Sequence, residues 1–573
     1  MGRSVTRSAE LNRIIGLPRR KWESEDVQEL ATKLTNYLKT PTGTMELRQV
    51  QAVALRDCFE HEGLFAPIPV GFGKSLISLL APVLCEKTKP ILLIPARLKK
   101  KTEREFKAYG EHFKVPPTIK IMSYEMLSRD SGQQEFIDYS PDMIISDECH
   151  RLKNTKAACT KRVGRWIKQH PDTVFVGLSG TITQKSIMDY VHLLRWALKD
   201  NAPIPAGWRE AKEWSLALDE NLPFEWERFL PGALMYLGTK DEQQQYHNCM
   251  GGSLQLARNV YSRRLVETPG VVAVQGTYVG SNLNIQTKLF QQPDVVRDHF
   301  KKLRETWQTP DGLDIMEAPV FWMHCRQYAS GFYYKWEKPA PKEWLSARKA
   351  WASFVTKVIV NNRRGIDTEF QVAKAVARGE YEEVPEYYAW KDIKKSFTPN
   401  PKAVWLSDEL LNYCSKWIQE NEGIVWTEHV AFGEKLSETT GLPYYGQQGL
   451  NAAGEPIEDA KGPVIASIQS NAEGRNLQQW CKNLIVSCPP SAARIEQLLG
   501  RTHRHGQTAE DVDFDILVKC VEDWEGFERC ILQAKYVTNS TQQTQKILAA
   551  NIEYLDESVI KKLTKSENAA WKK

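Results

Sequence analysis

Nothing in this sequence has the pattern of a membrane-spanning or disulfide-built protein. No apolar run approaches the roughly 20 residues that a membrane-spanning helix needs. The 11 cysteines among 573 residues are scattered, with no Cys-x-x-Cys pair and no cysteine–histidine cluster at zinc-ligand spacing. That excludes a zinc module and points to reduced thiols. The opening residues, Met1-Gly2-Arg3-Ser4-Val5-Thr6-Arg7, lack the apolar stretch of a secretory signal, and we expect an intracellular protein, cytoplasmic or nuclear. An excess of one charge is also missing: the formal net charge is only +5. A near-neutral chain neither requires nor excludes a nucleic-acid partner, because a basic groove is a local feature. There is no internal repeat and no long low-complexity tract, which excludes a solenoid.

What is present is an ordinary globular composition, 42% hydrophobic and 26% charged, on a chain too long for one core. Two regions alternate short apolar runs with helical patterns, the mark of parallel sheets with crossover helices. In the first, the strand candidates are Leu64–Ile68, Ile91–Ile94, Ile119–Met122, Met143–Ser146 and Thr173–Gly177. In the second they are Ile424–Trp426, Val464–Ser467, Leu484–Ser487 and Phe514–Val518. Between them Trp344, Ala347, Trp351, Phe354, Val355 and Val358 step by three or four along one helix face. The expected fold is α/β, two parallel-sheet domains with a helical insertion between them. The expected divisions are an N-terminal segment over 1–44, a first domain over 45–200, the insertion over 201–400, a second domain over 401–550 and a basic tail over 551–573.

Gly71-Phe72-Gly73-Lys74-Ser75 follows the first strand candidate and precedes a helical stretch. Glycines there let backbone N–H groups wrap phosphates, the lysine reaches the terminal phosphates, and the Ser75 hydroxyl ligates magnesium at a helix N-terminus. ATP and magnesium are the expected cofactors. One departure from the full pattern is Ile68, where Gly or Ala is usual; a Gly-rich strand-to-helix turn is the plainer reading of this stretch alone.

Met143-Ile144-Ile145-Ser146-Asp147-Glu148-Cys149-His150 is an apolar strand ending in two carboxylates. An Asp at a strand's carboxyl end holds magnesium, and the adjacent Glu polarises an attacking water. Asp-Glu alone is common and otherwise reads as a solvated loop; downstream of a phosphate loop and at the end of a buried strand it is far more specific. His150 reads either as a relay to a neighbouring loop or as an ordinary loop histidine.

The run Gln497-Leu498-Leu499-Gly500-Arg501-Thr502-His503-Arg504-His505-Gly506-Gln507 places two arginines three apart, on one face if helical. Aimed at a γ-phosphate, Arg501 and Arg504 would neutralise the charge that develops during transfer; otherwise they form a basic surface helix.

These motifs and their order resemble superfamily 2 helicases, and more narrowly the Snf-type (Swi/Snf-like) group of DNA translocases. The resemblance covers most of roughly 45–535. It rests on the GFGKS loop, the DEAH-like box at Asp147-Glu148-Cys149-His150, the Leu178-Ser179-Gly180-Thr181 loop and the Gln497–Gln507 box. It implies two RecA-like motor domains and catalytic roles for Lys74, Asp147, Glu148, Gln497, Arg501 and Arg504. By the same resemblance Gln51 recognises adenine, with Gly71, Phe72, Gly73, Lys74 and Ser75 holding the nucleotide and Ser75 and Asp147 the magnesium. Ser179, Gly180 and Thr181, with His150, would couple ATP state to nucleic-acid grip. Arg97, Ser123 and Tyr124 in the first domain and Gly474, Asn476 and Gln478 in the second would touch nucleic acid, double-stranded DNA above all. Arg263-Arg264 resembles an arginine pair near the interdomain crossing. The family loop usually has more glycine than Asn471-Ala472-Glu473-Gly474-Arg475, and Glu473 stands near the proposed phosphate track.

Arg97, Lys99, Lys100 and Lys101 sit beside the first of these loops, where the lysines read almost as readily as a solvated helix face, and the aromatic run from Phe321 to Trp344 reads as base-stacking or, more commonly, as core. Pro141-Asp142 and Pro171-Asp172 lack a Glu-x-Lys partner, so no fused nuclease is expected. Three functions remain: a translocase on duplex DNA, a strand-separating DNA or RNA helicase, and a regulatory scaffold on a motor fold.

Overall fold

The computed structural model describes every residue except 1–2, 21–25, 70, 181, 184–185, 221, 223–226, 250–252, 274–279, 362–367 and 568–573. Its first sheet contains β1 (Gly63–Pro67), β2 (Pro90–Ile94), β3 (Lys120–Ser123), β4 (Met143–Asp147) and β5 (Val174–Ser179). All pair in parallel, in the order β1-β5-β4-β2-β3. Successive side chains enter opposite cores, as a strand's period of two requires. Phe65, Ile91, Leu93, Ile144 and Phe175 pack on one face, and Leu64, Ala66, Leu92, Ile145 and Val176 on the other. Helices cover both faces, so these strands read as continuous apolar runs.

Further along come β6 (Asn282–Leu289), β7 (Phe332–Trp336), β8 (Pro401–Trp405), β9 (Ile424–Thr427), β10 (Tyr444–Tyr445), β11 (Val464–Ser467), β12 (Lys482–Ile485), β13 (Asp511–Val518) and β14 (Asn551–Glu553). Seven of them form a second parallel sheet, ordered β10-β11-β9-β12-β13-β6-β14, while β7 and β8 pair antiparallel by themselves. The architecture is therefore α/β, with two RecA-like domains built on parallel sheets.

The stretch 201–400, expected as one helical insertion, is divided in space. The helices Trp208–Leu218 and Leu254–Val266 bury Trp214, Tyr261 and Leu265 in the core of the first sheet. β6 then runs beside β13 in the second sheet, in register from Asn282–Asp511 to Leu289–Val518. Only the following residues build separate small cores. In one of them Trp344, Trp351 and Val355 of the helix Lys342–Asn361 are buried, with Ala347, Phe354 and Val358 packed against them, the face that the periodicity predicts. β6 reads Asn-Leu-Asn-Ile-Gln-Thr-Lys-Leu and lies half-exposed, so it lacks the apolar run that marks its neighbours.

A long helix, Val521–Thr541, ties the two sheets together. Its first half packs Trp524, Phe527 and Cys530 into the second core. Its second half lies against the helix Leu254–Val266, where Tyr536 donates a 2.9 Å hydrogen bond to Asp219 Oδ1. No helix among the described residues is long and apolar enough to cross a membrane.

Candidate functional site

The phosphate loop, the acidic box and the Ser179 loop all leave the first sheet at the carboxyl ends of its strands, where open α/β sheets place their ligand sites. Gly71 and Gly73 take φ of +97° and +75°, left-handed values that suit glycine and turn the loop into the helix Lys74–Leu84. Lys74 Nζ donates to Ile68 O at 3.0 Å, curled inside the loop, and Ser75 stands in the helix's first turn.

Gln51 is buried beneath this loop with both ends of its amide engaged. Its Nε2 donates to Gly73 O at 3.1 Å, and its Oε1 accepts from Arg48 N at 2.9 Å. Gly73 lies so close that an added Cβ would stand 2.2 Å from Gln51 Nε2. As placed, Gln51 clamps the loop; reading adenine would require its amide to let go. Arg48, which the sequence reading passed over, reaches Gly71 O at 2.8 Å.

At the end of β4, Asp147 and Glu148 have different surroundings. Burial, and then the charge of Glu148, push Asp147 upward from the usual carboxylate range. Burial works upward on Glu148 too, but the His150 hydrogen bond and the charge of Lys74 outweigh it and hold Glu148 ionised. Glu148 sits at φ +59°, in the left-handed region, at the start of the turn Cys149–Leu152. His150 Nδ1 lies 2.9 Å from Ser179 Oγ and 3.3 Å from Glu148 Oε2, and Ser179 Oγ donates to the same carboxylate oxygen at 3.3 Å. Glu148, His150 and Ser179 therefore form one closed polar triangle. Gly180 follows it directly; Thr181 lies outside the described residues.

Asp147 Oδ1 is buried and has no hydrogen-bond partner among the described residues, the condition of a carboxylate oxygen that a cation would satisfy. No group of three or more His, Cys, Asp or Glu side chains suited to a metal occurs among those residues. A magnesium ion here would lean on Asp147, the Ser75 hydroxyl, water and phosphate oxygens, which is how magnesium is commonly held.

Gln497 and Arg501 of the arginine box lie in the helix Ala492–Thr502 of the second domain, while Arg504 stands in the bend beyond its end, so the two arginines do not share a helix face. That bend faces the phosphate loop: a Cβ added at Gly71 would lie 3.8 Å from Arg504 Cβ. Gln497 and Arg501 are buried, and Arg501 is within electrostatic reach of Glu148. Arg501 Nη1 and Arg504 Nη1 converge on one acceptor, Arg475 O, at 2.9 and 3.0 Å. Beneath the helix Glu496 accepts from Lys546 N at 2.7 Å, while Lys546 Nζ meets His503 Nδ1 at 3.2 Å.

The expected nucleic-acid residues divide. Arg97, Gly474 and Asn476 lie at the gap between domains, with Asn476 exposed and its amide oxygen accepting from Arg504. Gln478 stands beside Gly506, half-buried. Ser123 spends its hydroxyl as a helix cap, accepting from Met126 N at 3.0 Å. Tyr124 is a correction to the sequence reading. It is buried, and its hydroxyl lies 2.7 Å from both Ser146 Oγ and Asp147 O, so it braces the acidic box from below and cannot reach a nucleic acid. Lys99 and Lys100 are exposed, whereas Lys101 turns towards Glu105 at 3.2 Å. The aromatic run is core: Phe321 stacks on Trp307 at 4.6 Å, and Trp336 meets Trp344 edge-on at 5.7 Å. The Arg263-Arg264 pair is structural, Arg263 bonding Glu242 at 2.7 Å and buried Arg264 donating to Leu17 O at 3.1 Å. Asp142 likewise caps Thr88 N at 2.8 Å and Lys89 N at 3.0 Å.

Among known proteins, the family model described as "Type III restriction enzyme, res subunit" matches residues 44–184. That segment holds the phosphate loop and the acidic box, and the match makes it a superfamily 2 helicase-like ATPase domain, the kind that acts as a nucleic-acid motor. No curated protein matches the chain.

Proposed function

We propose that this protein hydrolyses ATP to translocate along double-stranded DNA, in the manner of the Snf-type group it resembles. One observation carries the reading: the bend that ends the arginine helix of the second domain stands across from the phosphate loop of the first, with Arg504 beside Gly71. A nucleotide between them would touch both domains, so its hydrolysis would change their spacing.

In this mechanism the loop amides, Lys74 and Ser75 hold the phosphates and magnesium, and Asp147 completes the metal's protein ligands. Glu148, kept ionised, orients and polarises the attacking water. His150 and Ser179 fix the direction of that carboxylate, so any movement of the Ser179–Gly180 loop is felt at the water. Arg501 and Arg504 neutralise the charge that builds on the phosphoryl oxygens. The loops bearing Arg97 and Gly474 lie at the opposing edges of the two domains, where closure and reopening would hand a phosphate backbone from one to the other.

Triplex displacement beside strand displacement tests the reading. A translocase strips a third strand from a duplex with ATP and leaves the duplex paired. Unwinding of forked duplexes at a comparable rate would replace it with a strand-separating helicase.

A further inference from the structure

The gap between the domains holds an ion-pair bridge whose chemistry is that of a phosphate site. Arg97 follows β2, and Arg151 stands in the turn after the acidic box, both in the first domain. Glu473 comes from the second domain, in the loop after β11. Its carboxylate pairs with Arg97 and lies 3.5 Å from Arg151 Nη2. Arg97 Nη1 also donates to Gln469 O, at 3.3 Å, in the helical turn Ile468–Asn471 just before Glu473. The side chains of Glu473, Arg97 and Arg151 are 11%, 27% and 36% exposed, so the pair is partly withdrawn from water while Arg151 remains open to it.

The other acids nearby are occupied elsewhere. Glu125 accepts from Ala96 N at 3.0 Å, Glu428 pairs with Arg326 at 2.8 Å, and Glu148 is held by His150 and Ser179. Glu473 is thus the carboxylate that bridges these two arginines. Its loop is drawn tightly to the first domain: Gly474, at φ +73°, sits where a Cβ would lie 2.2 Å from Leu98 Cδ2. Burial first, then the charges of Arg151 and Arg494, lower Arg97 to about 10, the mark of crowded cations beside a small supply of anions. Arg97 Nε is buried with no hydrogen-bond partner among the described residues, a donor left over.

A carboxylate and a phosphodiester present guanidinium groups with the same feature, two anionic oxygens in one plane. We propose that Arg97 and Arg151 form a subsite for a nucleic-acid backbone phosphate and that Glu473 is its built-in competitor, seated there until a phosphate displaces it. The proposal rests on the motor reading and adds two things to it: Arg151 as a phosphate ligand, and a latch that holds the two domains together across their nucleic-acid loops. Displacing the carboxylate removes the charged part of the contact between the second-domain loop and the first, leaving the Gln469 hydrogen bond and the Leu98 contact. Occupancy by nucleic acid is then coupled to domain spacing without any further contact.

The test is equilibrium binding of a fluorescent DNA duplex to the full chain at several salt concentrations. Glu473→Gln, isosteric and uncharged, is expected to tighten binding by roughly threefold to tenfold, the size of a partly buried ion pair. Arg151→Gln is expected to weaken binding and to lower the slope of log affinity against log salt by about one. In the Arg151→Gln background, Glu473→Gln should gain markedly less. Wild-type binding with no gain from Glu473→Gln, or with an unchanged salt slope in Arg151→Gln, overturns the proposal and leaves the motor reading standing. No duplex binding by the wild-type chain at low salt overturns both.

Discussion

Gln543 Nε2 donates a 2.6 Å hydrogen bond to Gly180 O, and both residues are buried. The contact joins the residue that follows the Glu148–His150–Ser179 triangle to the loop that follows the long helix Val521–Thr541. Three residues further on, Lys546 bonds Glu496, just before the arginine box, and His503, which lies between the two arginines. One short loop therefore touches the water-polarising side of the site and the arginine side together. Gly180 O can only accept, so a donor is required at 543. Gln543→Glu keeps the shape and removes the donor. We expect the nucleic-acid-stimulated kcat to fall about tenfold, the worth of one buried hydrogen bond, with the KM for ATP little changed. Steady-state kinetics at saturating nucleic acid check this; an unchanged stimulated rate would show that the bond carries no coupling.

Lys74→Ala and Glu148→Gln should each lower ATP hydrolysis by at least about a hundredfold. The two are expected to differ in binding. Lys74→Ala removes a phosphate contact and should weaken ATP, whereas Glu148→Gln keeps the pocket and should retain it. Near-normal turnover by purified Glu148→Gln would remove Glu148 from its assigned role.

Tyr124→Phe tests the brace under the acidic box. The change strips the hydroxyl that bonds Ser146 and the Asp147 carbonyl inside the core. It should cost about 1–2 kcal/mol, read as a melting temperature lowered by about 2–4 °C. Because Tyr124 is buried, DNA affinity should be unaffected at temperatures where the variant is folded. A selective loss of DNA binding would restore it as a contact residue.

Asp219 gives a pH dependence. Burial raises it from 3.8 to about 6, against the hydrogen bonds it accepts from Ser186, Ile187 and Tyr536. Between those two values the folded protein holds a proton that the unfolded chain has released. This contribution to stability is therefore complete below about pH 4 and is lost as pH rises through about 6. Asp219→Asn keeps an acceptor for Ile187 N and Tyr536 without the buried charge. Above pH 7 it should raise stability, on the order of 1–3 kcal/mol, with little gain at pH 4. Thermal melts of both proteins across that range check it; a variant with no gain above pH 7 relative to pH 4 would show that the buried charge carries no such cost.

The parts legible in the sequence are those whose chemistry is packed into a few consecutive residues. Gly71–Ser75, Asp147–Glu148 and the Arg501/Arg504 pair each declare themselves by local spacing. The buried strands β1, β2, β4 and β5 declare themselves as apolar runs bounded by polar turns. β6 escapes because it alternates, with Asn284, Gln286 and Lys288 on an open face. It is also separated from its partner β13 by more than two hundred residues. The place of Tyr124 is hidden because a tyrosine after a strand looks the same in sequence whether its hydroxyl points to solvent or to Ser146. Gln51 matched a motif, but its engagement with Gly73 depends on how the helix Gln49–His61 lies against the loop. Gln543, Lys546 and Arg151 sit in no motif; their roles come from contacts made across the fold.

The central claim is an ATPase driven by duplex DNA, and steady-state ATP hydrolysis tests it most directly, measured without nucleic acid and then with duplex DNA, single-stranded DNA and RNA. The account predicts slow turnover alone and strong stimulation by duplex DNA, abolished in Glu148→Gln. Stimulation by single strands or RNA with none by duplex, or a rate indifferent to every nucleic acid, would contradict it.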